Sequence, residues 1–312
     1  MNISLVLNQM IILVIMMVVG FIAHKIGILN PTSNKSISKL IINITCPALI
    51  FHSIFTGGRI SDKSILGTVF ISAFVFYIFM FIFAKIVVNV LKVKPQLKRS
   101  YEFMMAFGNI SFMGIPVLRA VFPEQQSTAI LFQAIFVIFY HLFIFTYGIW
   151  LIGKDGGKKV KFSAKSFLNA GTLSAIAAVI LYFFDFTPPT IVVNSLDMIG
   201  SVTTPLSMIL IGSSLASYSA FKILKTPSLY LFSFIKLLVI PMIVWGVTKF
   251  IIDDALLHGV ITIMASVPVG SMTIMLSTEY GGNDEYISQG LFMSTVLSVL
   301  TIPLISYVLF NF

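Results

Sequence analysis

The chain has 312 residues, 58% of them hydrophobic and only 10% charged, with a mean hydropathy of +1.02. That balance excludes a soluble domain and specifies an integral membrane protein built of helices about 20 apolar residues long, not a barrel of alternating strands. A net charge of +9 has the size of a nucleic-acid footprint, but the lysines fall in loops between apolar stretches, where they report topology; no nucleic-acid partner is expected.

In chain order, ten spans are expected, at roughly 5–23, 36–56, 64–91, 100–121, 127–152, 166–184, 190–216, 228–251, 256–277 and 286–310. The first, Leu5 to Ala23, lacks the basic flank and small-residue cleavage site of a secretory signal and reads as a retained helix. The second carries "NITCP", Asn43 to Pro47, and holds Cys46, the only cysteine, so no internal disulfide or cysteine metal cluster can form.

The fourth span contains "FGNISFMGIP", Phe107 to Pro116, a composition at odds with a continuous helix. In hydrocarbon an unpaired backbone group costs several kcal/mol, so irregular chain persists at membrane depth only against protein or a cavity. Pro116 lacks an N–H, and inside a helix its ring would clash with the carbonyl of Phe112. Gly108 and Gly114 permit unwinding, while Asn109 and Ser111 supply polar groups there. These residues are expected to bind substrate.

On the fifth span lie Gln133 and, two turns on, His141 in "FYHLFIF", which reads either as a proton-sensitive gate or as a packing histidine. The seventh carries "SVTTP", Ser201 to Pro205, which echoes "NITCP" at an offset of 158 residues. Lys236 sits about nine residues into the eighth span, roughly 13 Å along it, where it either snorkels to the cytoplasmic surface or faces the pathway. In the ninth, "MASVPVGSMT", Met264 to Thr273, falls opposite the first break near the same offset. Pro268 and Gly270 break it, and Ser266 and Ser271 flank the break.

A unit of five spans is odd, so the second copy enters the membrane from the other side. The expected architecture is therefore an inverted repeat, residues 1–155 and 156–312, intertwined in one membrane domain. The broken spans would meet near the midplane with half-helix N-termini facing inward, an arrangement that favours an anion. Fourteen lysines and arginines fall on one side of this topology against four on the other, which puts both termini outside a cell membrane.

Three passages, "LIINITCPALIFHSIF", "GNISFMGIPVLRAVF" continuing to Gln133, and "SVPVGSMTIMLSTEYGGNDEYISQGLFM", resemble the auxin efflux carrier family, which includes plant PIN-type auxin carriers and bacterial malate permeases. The resemblance implies an all-α fold of ten transmembrane helices in two inverted five-helix repeats, similar to the sodium/bile-acid symporters, with broken helices 4 and 9 crossed at the site. It also implies a transport domain moving against a scaffold that often forms a homodimer. Asn109 takes the place of the family's crossover asparagine, Pro116 and Pro268 fit its helix breaks, and Gln133 matches a residue that lines its pocket. The second crossover, "SVPVGS", has no asparagine, and the central loop is reduced to "GKDGGKKVKFSAK".

The expected function is secondary transport of a small organic anion by alternating access, the anion being a carboxylate, dicarboxylate or auxin-like acid. An anion channel and a sodium-coupled organic-acid symporter are the alternatives. No carboxylate stands at either break, which argues against proton antiport, whereas Asn43, Thr45, Thr203 and Thr204, beside Pro47 and Pro205, offer neutral oxygens to sodium. No metal-protease motif or paired intramembrane aspartates appear, so an enzyme is not expected, nor is a cofactor.

Overall fold

The computed structural model describes residues 3–56, 64–110, 112–154, 170–217, 227–280 and 282–311. Among them the chain is all-α, and its sole extended pairing is an isolated antiparallel bridge between Gly108 and Val269. Helix α1 (Ile3–Lys25) is followed by α2 (Pro31–Leu40), which passes through a π-helical turn, Ile41–Thr45, into α3 (Cys46–Thr56). Asn30 starts α2 with a capping box: its Oδ1 accepts the N–H groups of Thr32 and Ser33, both at 2.9 Å, and its own N–H donates to Ser33 Oγ at 2.8 Å.

Next come α4 (Ile65–Val90), then α5 (Lys98–Ala106) and α6 (Gly114–Val121), the two halves of the fourth expected span. Helix α7 (Gln126–Phe143) continues through a second π-helical turn, Ile144–Gly148, into α8 (Ile149–Gly153). In the second half of the chain lie α9 (Ala170–Phe183), α10 (Thr190–Ser201) and α11 (Thr203–Ala216). A third π-helical turn, Ile235–Val239, joins α12 (Pro227–Phe234) to α13 (Ile240–Ile251). The chain ends with α14 (Ala255–Ser266), α15 (Ser271–Tyr280) and α16 (Asp284–Asn311).

Five described stretches are long and apolar enough to cross a membrane without interruption: Ile65–Val90, Pro123–Gly153, Thr190–Ser214, Pro227–Ile251 and Glu285–Leu309. Helix α4 shows why. It is apolar all round, burying Val69, Ala73, Phe76, Tyr77 and Met80 while Ile71, Val75, Ile78 and Ile82 point outward, the pattern of a helix facing lipid.

The helices pack as two bundles. One holds α1, α2, α3, α9, α10 and α11, with α1 lying along α11 and α3 against α9 and α10. Small residues allow these backbones to close up: Gly20 faces the backbone of Ile209, Gly212 faces that of Met17, and a Cβ added to Gly200 would lie 2.7 Å from Leu49 Cα. The other bundle sets α4 against α5 and α7, α13 against α14, and α16 against α12, α14 and α15. The bundles touch where α7 meets α3 and α9, and where α1 meets α16 and α6.

Candidate functional site

Helix α5 stops at Ala106 and α6 begins at Gly114, while α14 stops at Ser266 and α15 begins at Ser271. The two gaps cross. Asn109 N–H donates to the Pro268 carbonyl at 2.7 Å and Gly270 N–H to the Phe107 carbonyl at 3.0 Å, on either side of the Gly108–Val269 bridge. Each broken helix thus satisfies backbone groups that the other has released, which lets irregular chain exist at this depth.

Glycine is needed at the point of closest approach. A Cβ on Gly270 would lie 2.8 Å from the Gly108 carbonyl oxygen and 2.9 Å from the Tyr140 hydroxyl, and one on Gly108 would lie 2.8 Å from Val267 Cγ2. Phe107 closes the crossing from behind, edge-on to Phe103 and Tyr140 with ring centroids 5.3 and 5.8 Å away.

Further bonds hold the gaps open. The Asn109 carbonyl accepts N–H groups from Met113 at 3.1 Å and Gly114 at 3.2 Å, and its Oδ1 accepts a longer bond from Phe112 N–H at 3.3 Å. Gln133 Nε2 donates to the Ile110 carbonyl at 2.9 Å, Val269 N–H to Ser294 Oγ at 3.1 Å, and Thr273 Oγ1 to the Gly270 carbonyl at 2.6 Å. Lys236 Nζ donates to the Met105 carbonyl at 2.9 Å, at the C-terminal end of α5.

Beside the crossing lies a cavity of about 30 Å³, room for little more than a water molecule. One wall is the crossing itself: Gly108, Asn109 and Phe112 from the first gap, with Ser271 and Met272 at the start of α15. A second wall is α7, through Val137, Tyr140 and His141. Ile42 and Cys46, from the other bundle, close it, so the cavity sits on the seam between bundles. The backbone N–H groups of Ser271 and Met272 have no protein partner among the described residues, as expected in the first turn of a helix.

The structure brings Gly108, Asn109, Ser271 and His141 of the expected site residues to the cavity wall. Gly270 is buried at the crossing, and a Cβ on Gly114 would meet the Met264 side chain at 3.1 Å. Gln133, fully buried, is spent on the Ile110 carbonyl and does not line the cavity, and the Ser266 hydroxyl turns back to the Ile263 carbonyl at 2.8 Å. Ser111 lies outside the described residues. Lys236 does not snorkel: it is 1% exposed and directed at Met105.

Of the residues expected to take an ion, Asn43 is exposed and donates to the Lys39 carbonyl at 2.8 Å, while Thr204 is half-buried. Thr45 and Thr203 are buried, each with a hydroxyl that finds no partner. The prolines act differently from the expectation. Pro116 stands in the first turn of α6, where a missing N–H removes no helical bond, so it starts a helix after the gap, whereas Pro47 follows the π-helical turn between α2 and α3 and Pro205 the one-residue turn at Val202 between α10 and α11. Only Pro268 lies within a gap, where its carbonyl accepts Asn109 N–H.

Tyr140, Phe112 and Met272 were not foreseen as lining residues. Tyr140 carries a readable signal, since it stands seven residues after Gln133 and next to His141 on the same helix. Among the described residues no three His, Cys, Asp or Glu side chains gather as a metal site.

Residues 5–166 and 158–306 match the sequence profile of a family described as membrane transport protein. The chain belongs to that family. It is the family of the auxin efflux carriers, so the resemblance carried by "GNISFMGIP" holds, and the chain is a multi-pass membrane transporter rather than an enzyme. The transporter is 26% identical over 313 aligned positions to an uncharacterized transporter of Methanocaldococcus jannaschii, covering 98% of this chain and 99% of that protein. It is 23% identical over 309 positions to one of Methanothermobacter thermautotrophicus, covering 95% of each. An uncharacterized transporter of Saccharomyces cerevisiae is 23% identical over 45% of this chain and 25% of its own length.

Proposed function

We propose that the transporter carries a small organic anion, a carboxylate, across the cell membrane by alternating access. The observation that carries this reading is the unpaired N–H pair of Ser271 and Met272, which stands at the N-terminus of α15 in the wall of a cavity with no aspartate or glutamate on it. Such an end carries about half a positive charge and donors already aimed outward, and Asn109 adds a side-chain amide beside it. A carboxylate suits this wall; an amine would meet the wrong end of the dipole.

Alternating access is supported by the cavity's size and place. A space of about 30 Å³ does not admit a malate-sized acid, so loading requires the walls to separate, and they belong to different bundles. In this reading the bundle of α4 to α8 and α12 to α16 carries the crossing past the bundle of α1 to α3 and α9 to α11, which serves as scaffold and as the face for a homodimer. The chain is read as ten spans in two inverted repeats, 1–155 and 156–312, with both termini outside, because fourteen basic residues stand on one side against four.

Purified protein in liposomes, offered malate, phenylacetate and the amine phenethylamine, tests the reading. Saturable uptake of a carboxylate that is accelerated by unlabelled carboxylate inside the vesicles is the expected result. Preference for the amine overturns the substrate class, and non-saturable flux without counterflow overturns the carrier mechanism.

A further inference from the structure

Lys236 is a basic side chain in the middle of a membrane bundle. Its side chain is 1% exposed, and its ammonium, with three donors, makes one hydrogen bond, to the Met105 carbonyl at 2.9 Å. No carboxylate pairs with it among the described residues. Ionisable groups inside a membrane are costly to charge without a partner and mark pathways, so a lysine in this place requires a cause.

Capping a broken helix is not a sufficient cause. Both α5 and α14 end in mid-membrane with released carbonyls, yet among the described residues α14 has the Ser266 hydroxyl on its own Ile263 carbonyl and no cation bonded at its end. The need is the same at the two breaks and the charge is present at one. That one is the end of α5, whose chain runs on from Met105 through Phe107 directly into Gly108 and Asn109 on the cavity wall. In transporters with broken helices, half-helix C-termini are also the places where coupling cations are held. Here the carbonyl is already taken by a side chain.

We propose that Lys236 is the transporter's built-in countercharge: it holds the end of α5 in place of a coupling cation, and the substrate's carboxylate is the counter-ion it lacks. The inference rests on the anion reading above and adds to it a named charge and independence from sodium. The negative end of the α5 dipole offsets part of the ammonium's charge and leaves the remainder for the ligand. In a protein interior, that remainder acts on a carboxylate without touching it. Lys236 is therefore a positioning charge, not a contact.

The test uses the smallest carboxylates, formate and acetate, with formamide and acetamide as neutral controls, each read by the concentration dependence of the melting temperature. The salts are supplied with sodium or with choline at constant ionic strength. Wild-type protein is expected to be stabilised by formate with the same half-saturation in both cations and not by formamide. Lys236→Gln, which keeps a donor for Met105 and loses the charge, should need at least tenfold more formate, and Lys236→Arg should stay within about threefold of wild type. Equal formate affinity in wild type and Lys236→Gln overturns the inference while sparing the anion reading. Wild-type protein that binds no carboxylate overturns both. Should Lys236→Gln not fold, the wild type decides alone: a requirement for sodium overturns the built-in cation, and indifference to sodium together with rejection of formamide supports it.

Discussion

The backbone N–H of Asn109 meets the carbonyl of Pro268 at 2.7 Å, joining two helix breaks that lie in opposite halves of the chain. With its companion from Gly270 to Phe107, this bond makes the crossing a two-stranded fragment inside a helical protein. The fragment exists because side chains are absent where the backbones touch.

Gly270→Ala should therefore damage the fold. Its Cβ would lie 2.8 Å from a backbone oxygen that cannot give way, and overpacking of this kind costs about 1–3 kcal/mol. Gly246→Ala, on α13 with nothing within 4 Å of its added Cβ, should be neutral or gain up to about 1 kcal/mol. Melting temperatures of the two variants in one detergent check this, and equal values would contradict the crossing as described.

Gln133 offers a test of the bond that holds the first gap. Its Nε2 serves the Ile110 carbonyl at 2.9 Å, while its Oε1 is buried without a partner. Gln133→Leu strands the carbonyl, at about 1–3 kcal/mol, but also removes the orphaned oxygen, so the net loss should be small. Gln133→Glu replaces the donor by a second acceptor and brings a buried charge, and should be the worse of the two. Denaturation of both variants settles their order; a more stable glutamate variant would mean that Gln133 does not serve Ile110.

The breaks were legible because glycine, asparagine and proline in the middle of an apolar run leave a helix few ways to continue. Their partners were not. Gln133 reaches Ile110 across 23 residues and Lys236 reaches Met105 across 131, so whether a polar group serves the ligand or the fold depends on a neighbour that no local pattern names. The π-helical turns at Ile41–Thr45, Ile144–Gly148 and Ile235–Val239 were equally hidden, since "IINIT", "IFTYG" and "IKLLV" are compatible with ordinary helix. Pro116 was read as the site of the break because proline disrupts a helix interior. It stands instead in the first turn of α6, where its fixed φ suits a helix start.

Asn109→Ala should separate binding from folding. The side chain makes one long bond, to Phe112 N–H at 3.3 Å, while the bonds that tie the crossing come from its backbone and survive the substitution. Stability should fall by no more than about 1 kcal/mol. Loss of one or two bonds to a carboxylate, at roughly 1–3 kcal/mol, should weaken affinity by about 5- to 150-fold. Leu118→Ala, fully buried on α6, should show the reverse: a cost of about 2–5 kcal/mol in stability with affinity retained. If Asn109→Ala unfolds the protein and keeps its affinity, the amide belongs to the backbone and the ligand contact lies elsewhere on the crossing.

Cys46 makes the seam between bundles directly measurable. It is the only cysteine in the chain, it is 8% exposed, and it stands on the α3 side of a cavity whose facing residues, Asn109 and Tyr140, belong to the other bundle. With room for little more than a water molecule, the cavity does not admit a maleimide. The thiol can react only in conformations in which the bundles have parted, so its rate reports their population. Labelling of the native protein should be slow, and a transported carboxylate should change the rate by shifting the balance of states, whereas a neutral amide of the same shape should not. A cysteine at Asp253, in an exposed loop and in a Cys46→Ser background, should label quickly whatever is added, which controls for effects of the ligand on the reagent. Fast labelling of Cys46 that no carboxylate alters would mean that the cavity is already open, and the argument that the bundles must separate for loading would fail with it.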